Sequence, residues 1–193
     1  MTTPKILAFA GSARRESFNK KLVNVAAESA RSVGAEVTVI DFADLPLPLF
    51  DQDLETAEGL PANVQKLKAL MVEHQGLVIA CPEYNSSITP LLKNAIDWAT
   101  RPGGKDEPPL AAYRGKVAAL LATSPGKLGG LRGLVHVRAI LQNIGVMVIP
   151  QQIAVPEAHK AFAEGSSLND SGMQKRLEGL MAELTETIRK LNA

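Results

Sequence analysis

The chain alternates short apolar runs with segments of helical periodicity. Five runs are typical of strands, and several are apolar almost throughout, as in strands that are buried on both faces. They are Lys5–Ala10, Glu36–Phe42, Leu77–Cys81, Lys116–Thr123 and Val146–Ile149. Elsewhere apolar residues recur at intervals of three and four, which predicts amphipathic helices. These helices are predicted over Ser17–Ser32, from Pro61 to a stop at Gly76, over Pro90–Thr100, over Gly130–Asn143, and from about Asp170 onward.

Strict alternation of strands and helices predicts an α/β fold. Right-handed crossovers between the strands leave only a few doubly wound arrangements, with a parallel sheet covered by helices on both faces. The 193 residues suit one such domain and are too few for two. In open sheets of this kind ligands bind beyond the carboxyl ends of the strands. The loops after the first, third and fourth strands are therefore the places to look for chemistry.

Charge and cysteine content exclude several classes of protein. The 21 basic and 20 acidic residues give a net charge of +1, so no strongly basic field attracts nucleic acid. The balance also argues against a dedicated electron shuttle, which often relies on a one-sided surface charge. One cysteine, Cys81, forms no internal disulfide. With neither a signal peptide nor a bilayer-length apolar stretch, we expect a soluble cytoplasmic protein that is not bound to a membrane.

The loop after the first strand reads Gly-Ser-Ala-Arg-Arg-Glu-Ser-Phe-Asn from Gly11 to Asn19. It joins a strand to a helix, where free N–H groups and the positive end of the helix dipole favour an anion. Short polar side chains and an arginine fork add donors for a phosphate. The glycine spacing matches neither the Walker loop nor the dinucleotide fingerprint. The alternative is that Ser17 or Asn19 merely caps the helix and the arginines are solvated.

Two further loops have unusual composition. After the third strand, Cys81-Pro-Glu-Tyr-Asn-Ser-Ser87 suits a flat heteroaromatic ligand, whose edge backbone amides can bind while the Tyr84 ring flanks it. After the fourth strand, the run Thr123–Gly130 holds three glycines, which suggests a close approach of backbone to a ligand. A plain turn explains either loop as well when it is taken by itself.

Taken together, these loops resemble the NADPH-dependent FMN reductase family, which includes chromate, quinone and azo reductases. The resemblance spans about residues 5–149. The matching segments are Gly11-Ser12-x-Arg14-x-x-Ser17-x-Asn19, Pro82-Glu83-Tyr84-Asn85, Leu92-Lys-Asn-Ala-Ile-Asp-Trp98, and Ser124-Pro125-Gly126 with Gly129-Gly130. Each segment alone is modest evidence, but all of them in order on the expected elements form a strong signal.

The resemblance implies a flavodoxin-like three-layer α/β/α sandwich with a five-stranded parallel sheet, spanning residues 1–193 as one domain. It also implies non-covalent FMN, with NAD(P)H as electron donor. In the first loop the phosphate-binding residues are Gly11, Ser12, Arg14, Ser17, Phe18 and Asn19. Along the ring edge the residues are Pro82, Glu83, Tyr84, Asn85 and Ser86, and Ser124, Pro125 and Gly126 form the remaining wall. Ser86 and Ser87 stand where some relatives carry bulkier residues, which bears on the choice of acceptor.

The implied activity is transfer of electrons from NAD(P)H through FMN to a small acceptor such as a quinone, chromate, a ferric complex or an azo compound. No side chain is assigned as a catalytic acid, base or nucleophile, and no metal ligand is expected, since the flavin carries the chemistry. The alternatives are a flavodoxin-type electron carrier, a reductase that supplies reduced FMN to a monooxygenase, and a flavin-free protein that binds another phosphorylated ligand at the first loop. A homodimer or homotetramer is expected. Arg101, Lys105, Lys127 and Arg132 are candidates for reading the 2′-phosphate of NADPH, though each is individually better explained as a solvated charge.

Overall fold

Five parallel strands form the central sheet in the computed structural model, which describes residues 2–163 and 167–192. A short two-stranded antiparallel hairpin stands apart from this sheet. The elements in chain order are β1 (Lys5–Ala10), α1 (Phe18–Ser32), β2 (Glu36–Ile40), α2 (Gln52–Glu58), α3 (Ala62–Glu73), β3 (Gly76–Ala80), β4 (Glu83–Tyr84), β5 (Ser87–Ile88), α4 (Pro90–Thr100), β6 (Val117–Thr123), α5 (Leu131–Asn143), β7 (Met147–Val155) and α6 (Ser171–Leu191).

The sheet order is β2-β1-β3-β6-β7, and every neighbouring pair is parallel. Successive side chains of a strand point to opposite faces. In β1, Ile6 and Ala8 therefore join the core beneath α1 and α6, while Leu7 and Phe9 join the core beneath α3, α4 and α5. Both faces are covered, which is why the central strands read as continuous apolar runs. The predicted three-layer fold and five-stranded parallel sheet are confirmed.

The last strand is longer than its apolar run indicates. The prediction ended this strand at Ile149, whereas β7 continues to Val155 through Pro150. Because β7 is an edge strand, Pro150 removes no essential ladder bond. The pairing of β7 with β6 also shifts register between Ala118 and Leu120, beside this proline. A proline signal that normally ends a strand is therefore tolerated here.

One other local prediction differs from the structure, and two short elements add to those predicted. Gly76 is predicted to end a helix but opens β3, where an added Cβ would lie 2.5 Å from Ile188 Cδ1. Helix α2 lies outside the predicted helices, and Asp51 caps it by accepting a hydrogen bond from Asp53 N at 2.8 Å. The β4–β5 hairpin lies within the predicted loop after the third strand. Within residues 2–163 and 167–192, no helix is long and apolar enough to cross a membrane.

Candidate functional site

Three loops meet at one edge of the sheet, where β1, β3 and β6 end. Gly11 N donates to Ala80 O at 2.9 Å, and Cys81 N donates to Leu121 O at 2.7 Å. These bonds continue the parallel ladder one residue beyond each strand, so the three loops leave the sheet side by side. The residues predicted from three separate parts of the chain are thereby brought to one place.

Helix α1 begins without a cap of its own. Ser17 occupies the N-cap position but its side chain makes no capping hydrogen bond, and the first turn holds no acidic residue. The alternative in which Ser17 or Asn19 merely caps the helix is therefore not what the structure shows. Ser12 is buried, and its Oγ accepts a hydrogen bond from Arg14 N at 3.3 Å. An uncompensated helix N-terminus with serine hydroxyls and an exposed arginine beside it suits an anion.

Asn19 links the first loop to the third. Its side-chain amide donates from Nδ2 to Thr123 O at 2.9 Å, and its Oδ1 accepts from Thr123 N at 3.1 Å. Both side-chain atoms thus serve the junction between α1 and the end of β6. A contact of Asn19 with a phosphate would use its backbone N–H, which is one of the free donors in the first turn of α1.

A threonine that the sequence analysis passed over joins the first loop to α4. Thr89 is 2% exposed, its Oγ1 donates to Gly11 O at 2.7 Å, and the same oxygen accepts from Leu92 N at 3.1 Å. It therefore caps α4 and holds the backbone of the anion-binding loop. The signal was present in the sequence, because threonine followed by proline is a typical helix start.

The second loop is a tight hairpin. Between β4 and β5 only Asn85 and Ser86 form the turn, with φ of 51° and 67°. Positive φ at both turn residues is the geometry that matches the twist of a two-residue hairpin. Pro82 is buried beneath it, while Tyr84 is 54% exposed. The exposed Tyr84 ring beside the turn offers an aromatic surface that a flat ligand can contact.

Glu83 does not direct its carboxylate into the site. Its Oε1 accepts from Arg132 Nε at 2.8 Å and Nη2 at 2.5 Å, and its Oε2 accepts from Gly133 N at 3.1 Å. Burial raises the pKa of Glu83, but these hydrogen bonds outweigh it and hold the pKa below its usual value. Any contact of Glu83 with a cofactor is therefore made by its backbone.

The third loop is held from behind by the segment that follows β7. Ala158 N donates to Ser124 O at 3.0 Å and Glu157 N donates to Gly126 O at 3.3 Å. Further along, Phe162 stacks in parallel on Phe18, with ring centroids 6.3 Å apart. Phe18 thus joins the anion-binding loop to this segment and does not point into open solvent. Residues 156–163 lie outside the motifs that predicted the site.

These observations together fit FMN. A phosphate would find an uncapped helix end with serine and arginine side chains beside it, and a ring would find an exposed tyrosine and a hairpin turn. The sequence profile of the NADPH-dependent FMN reductase family matches residues 4–160. The chain belongs to this family. It is therefore an FMN-dependent NAD(P)H oxidoreductase, and the predicted cofactor and electron donor are confirmed.

Relatives of this reductase resemble it over nearly their whole length. It is 31% identical over 188 residues to a 2-hydroxy-1,4-benzoquinone reductase from Burkholderia sp, covering 96% of each chain. It is 31% identical over 192 residues to a quinone reductase from Escherichia coli, covering 97% of this chain and 96% of that one. Among solved structures, the flavoenzyme NAD(P)H:(acceptor) oxidoreductase FerB from Paracoccus denitrificans superposes with a TM-score of 0.82 at 30% identity, covering 97% and 98% of the two chains.

The basic residues named for NADPH lie in different places in the reductase. Arg101 pairs with Glu55 at 2.9 Å, at the end of α4 that is remote from the site. Lys105 follows in the same remote loop, and Arg132 is occupied by Glu83. Lys127 is exposed within the Ser124–Gly130 loop. Of these four, Lys127 therefore has the position best suited to a nucleotide phosphate.

The remaining reactive residues of the reductase serve other purposes. Burial raises the pKa of the Cys81 thiol well above its usual value, so this cysteine is an inert core residue. His136 Nδ1 lies 2.9 Å from Ser87 Oγ on the outer side of the hairpin. His74 is the C-cap residue of α3 and is buried, 2% exposed, at the opposite edge of the sheet. Within residues 2–163 and 167–192, no three histidine, cysteine or acidic side chains cluster as metal ligands.

Proposed function

We propose that the reductase transfers electrons from NAD(P)H through FMN to quinones. The observation that carries the proposal is the meeting of an uncapped helix N-terminus with an outward-facing aromatic hairpin at one sheet edge. Two relatives that match over nearly the whole chain are named quinone reductases, which supports a quinone as acceptor. Bound FMN would supply hydride acceptance from the nicotinamide and donation to the quinone.

The residues of this chain divide the work of holding the cofactor. Ser12, Arg14 and Ser17, with the free N–H groups of α1, would bind the phosphate. The Pro82–Ser86 backbone and the Tyr84 ring would lie along the ring edge, and Ser124, Pro125 and Gly126 would form the opposite wall. Donor and acceptor would use one exposed ring face in turn, which predicts ping-pong kinetics.

Arg14→Gln tests the phosphate assignment. The dissociation constants of FMN and riboflavin are measured for the apoprotein by flavin fluorescence, for the native chain and the variant. We expect FMN to bind roughly 10-fold more weakly to Arg14→Gln, because a charge-assisted hydrogen bond is lost, while riboflavin affinity is unchanged. Arg31→Gln, whose arginine pairs with Glu28 on the far end of α1, is the matched control. An equal loss for both flavins would contradict the assignment.

Anaerobic reduction followed by turnover tests the activity. We expect NADPH or NADH to bleach the visible flavin bands and a benzoquinone to restore them, with parallel double-reciprocal lines in the steady state. Flavin that is reduced only by a chemical reductant would identify an electron carrier. Reduced FMN that leaves the protein during turnover would identify a supplier for a monooxygenase. Faster turnover with chromate, a ferric complex or an azo dye than with the quinone would change the proposed acceptor.

We also propose that residues 1–193 form one cytoplasmic FMN-binding domain and that the reductase is a homodimer or homotetramer. Around the site, Tyr84, Leu128, Leu131 and Val135 are between 42% and 59% exposed. Leu131 and Val135 are four residues apart and share one face of α5. A second copy that covers this apolar surface would lie beside the flavin. Light scattering of the purified holoprotein measures the mass, and a monomer would contradict this proposal.

A further inference from the structure

We infer that Glu83 is a positioning residue: by capping α5 from the neighbouring loop, it fixes the hairpin that carries Tyr84 and so aligns the ring of the cofactor. The inference rests on the proposed FMN site. It concerns a side chain that faces away from that site, and it assigns that side chain an indirect role in binding.

Helix α5 has no cap of its own. Its N-cap residue is Gly130, with φ of 88° and no side chain to accept from the first-turn N–H groups. Glu83 supplies the missing acceptor, because its Oε2 receives Gly133 N at 3.1 Å. Gly133 is the third residue of the helix, the position that an N-cap side chain normally satisfies. The negative charge also complements the helix dipole at this end.

The carboxylate is enclosed and its charge is matched. The Glu83 side chain is 8% exposed, whereas that of Arg132 is 58% exposed. The guanidinium therefore covers the buried carboxylate from the solvent side and donates two hydrogen bonds to one of its oxygens. A buried carboxylate is tolerated only when it is paired and hydrogen-bonded, and here both oxygens are used.

Gly133 lets the hairpin lie directly on the helix. A Cβ at Gly133 would sit 3.3 Å from Ser87 O and 3.6 Å from Glu83 Cβ, so this residue meets both hairpin strands. At Gly130 an added Cβ would sit 2.9 Å from Ala122 Cβ, so this glycine allows the helix to approach β6 closely. A larger residue at Gly133 would push the hairpin away from the helix.

The hairpin depends on this contact for its position. Each of its strands has only two residues, and an isolated two-stranded hairpin is marginal in water. Its turn also places Asn85 and Ser86 at positive φ without glycine, which adds strain. Glu83 is the residue that ties β4 to α5 by charge and hydrogen bonds, so it determines where the exposed Tyr84 ring stands. It also joins two walls of the site, which come from residues 82–87 and from 124–130.

Glu83→Gln and Glu83→Ala test the inference, with Glu73→Gln as the control because Glu73 forms an exposed ion pair with Lys5 at the opposite edge. FMN and riboflavin dissociation constants, the visible circular dichroism of the bound flavin, and the melting temperature of the apoprotein are measured for each. We expect Glu83→Ala to weaken both flavins by the same factor, roughly 10- to 100-fold, and to alter the visible dichroism. Glu83→Gln keeps an acceptor for Gly133 N and should recover part of the affinity.

An equal loss of affinity for FMN and riboflavin distinguishes the Glu83 variants from Arg14→Gln, which should weaken FMN binding alone. If Glu83→Ala lowers the melting temperature but leaves both affinities and the dichroism unchanged, the residue is structural only and the inference is overturned. If Glu83→Ala does not fold, Glu83→Gln and Arg132→Gln decide it by the same two affinities. If the native chain binds neither flavin, both the proposed function and this inference are overturned. If the native chain binds flavin and the Glu83 variants bind it equally well, only this inference is overturned.

Discussion

The two edges of the sheet contrast sharply in how they use polar residues. At the amino edge, buried polar groups satisfy one another: His74 Nδ1 donates to Leu70 O at 2.6 Å, and its Nε2 accepts from Thr38 Oγ1 at 2.9 Å. Lys116 Nζ donates to His74 O at 2.5 Å and so belongs to the same hydrogen-bond network. At the carboxyl edge, Ser17 leaves α1 uncapped and Tyr84 stands open to solvent.

Both edges are built from the same strands, so strand composition does not explain the difference. At the amino edge the polar groups of His74, Thr38 and Lys116 satisfy one another across sequence separations of 36 and 42 residues. At the carboxyl edge, hydrogen bonds of Thr89, Asn19 and Glu83 hold the loops in place around the start of α1, where the Ser17 side chain makes no capping hydrogen bond. At the amino edge, polar groups that hydrogen-bond to one another stabilise the fold. At the carboxyl edge, positioned groups without a protein partner are suited to bind a ligand.

Gly129→Ala is expected to have the largest effect on this contrast. Gly129 has φ of 62°, and an added Cβ would lie 2.7 Å from the Val155 carbonyl carbon, a backbone atom that cannot move aside. The free energy of unfolding should fall by about 3 kcal/mol or more, and FMN affinity should fall with it. Urea unfolding and flavin titration measure both quantities.

Gly115→Ala is the matched control for this substitution. Gly115 has a similar φ of 78°, but nothing lies within 4 Å of an added Cβ, and it sits at the amino edge. For Gly115→Ala the free energy of unfolding should therefore fall only by the cost of a left-handed backbone at alanine, about 1–2 kcal/mol. FMN affinity should be unchanged. Equal effects of the two variants would show that the close approach of Gly129 to β7 does not matter.

Thr89→Val should have an intermediate effect. The substitution keeps the side-chain shape but removes the hydroxyl that caps α4 and holds Gly11 O, which leaves a buried carbonyl unsatisfied. We expect a loss of about 2 kcal/mol in unfolding free energy and a measurable loss of FMN affinity, because Gly11 begins the loop that we propose to bind the phosphate. Thr185→Val is the control, since that buried hydroxyl donates only to Met181 O within a helix. A larger loss of stability at Thr185 would contradict this account.

Lys116→Met should have the smallest effect on the site, and an effect on stability that depends on pH. Burial lowers the pKa of Lys116 to about 8, below its value of about 10.4 in the unfolded chain. Between these two values the unfolded chain binds more protons, so native stability relative to the variant should rise as pH increases through this window. Below about pH 8 the difference should be constant. Urea unfolding of the native chain and the variant across this pH range measures the difference in unfolding free energy. FMN affinity should be the same for both proteins. Parallel pH profiles of the two unfolding free energies would contradict the prediction.

Much of the architecture follows from local pattern. Helix α4 begins at Pro90 and ends at Thr100 as its periodicity and its first-turn proline predict. The alternation of strands and helices led to the parallel sheet, and the rule that ligands bind at carboxyl ends led to the loops that hold Ser12, Arg14 and Tyr84. These inferences need only neighbouring residues, because side-chain spacing and capping act over a few positions.

The roles within the site were decided by contacts between distant residues. Glu83 meets Arg132 at a separation of 49 residues, and Asn19 meets Thr123 at a separation of 104. Short-range pattern carries no information on such partners, because they become neighbours only when the sheet order places β1, β3 and β6 together. By itself, the sequence determined which loops carry polar chemistry. The tertiary structure decided which of those side chains hydrogen-bond to other parts of the protein and which remain free for a ligand. The reason is that a hydrogen-bonding group can be assigned to a cofactor only after its protein partners are known.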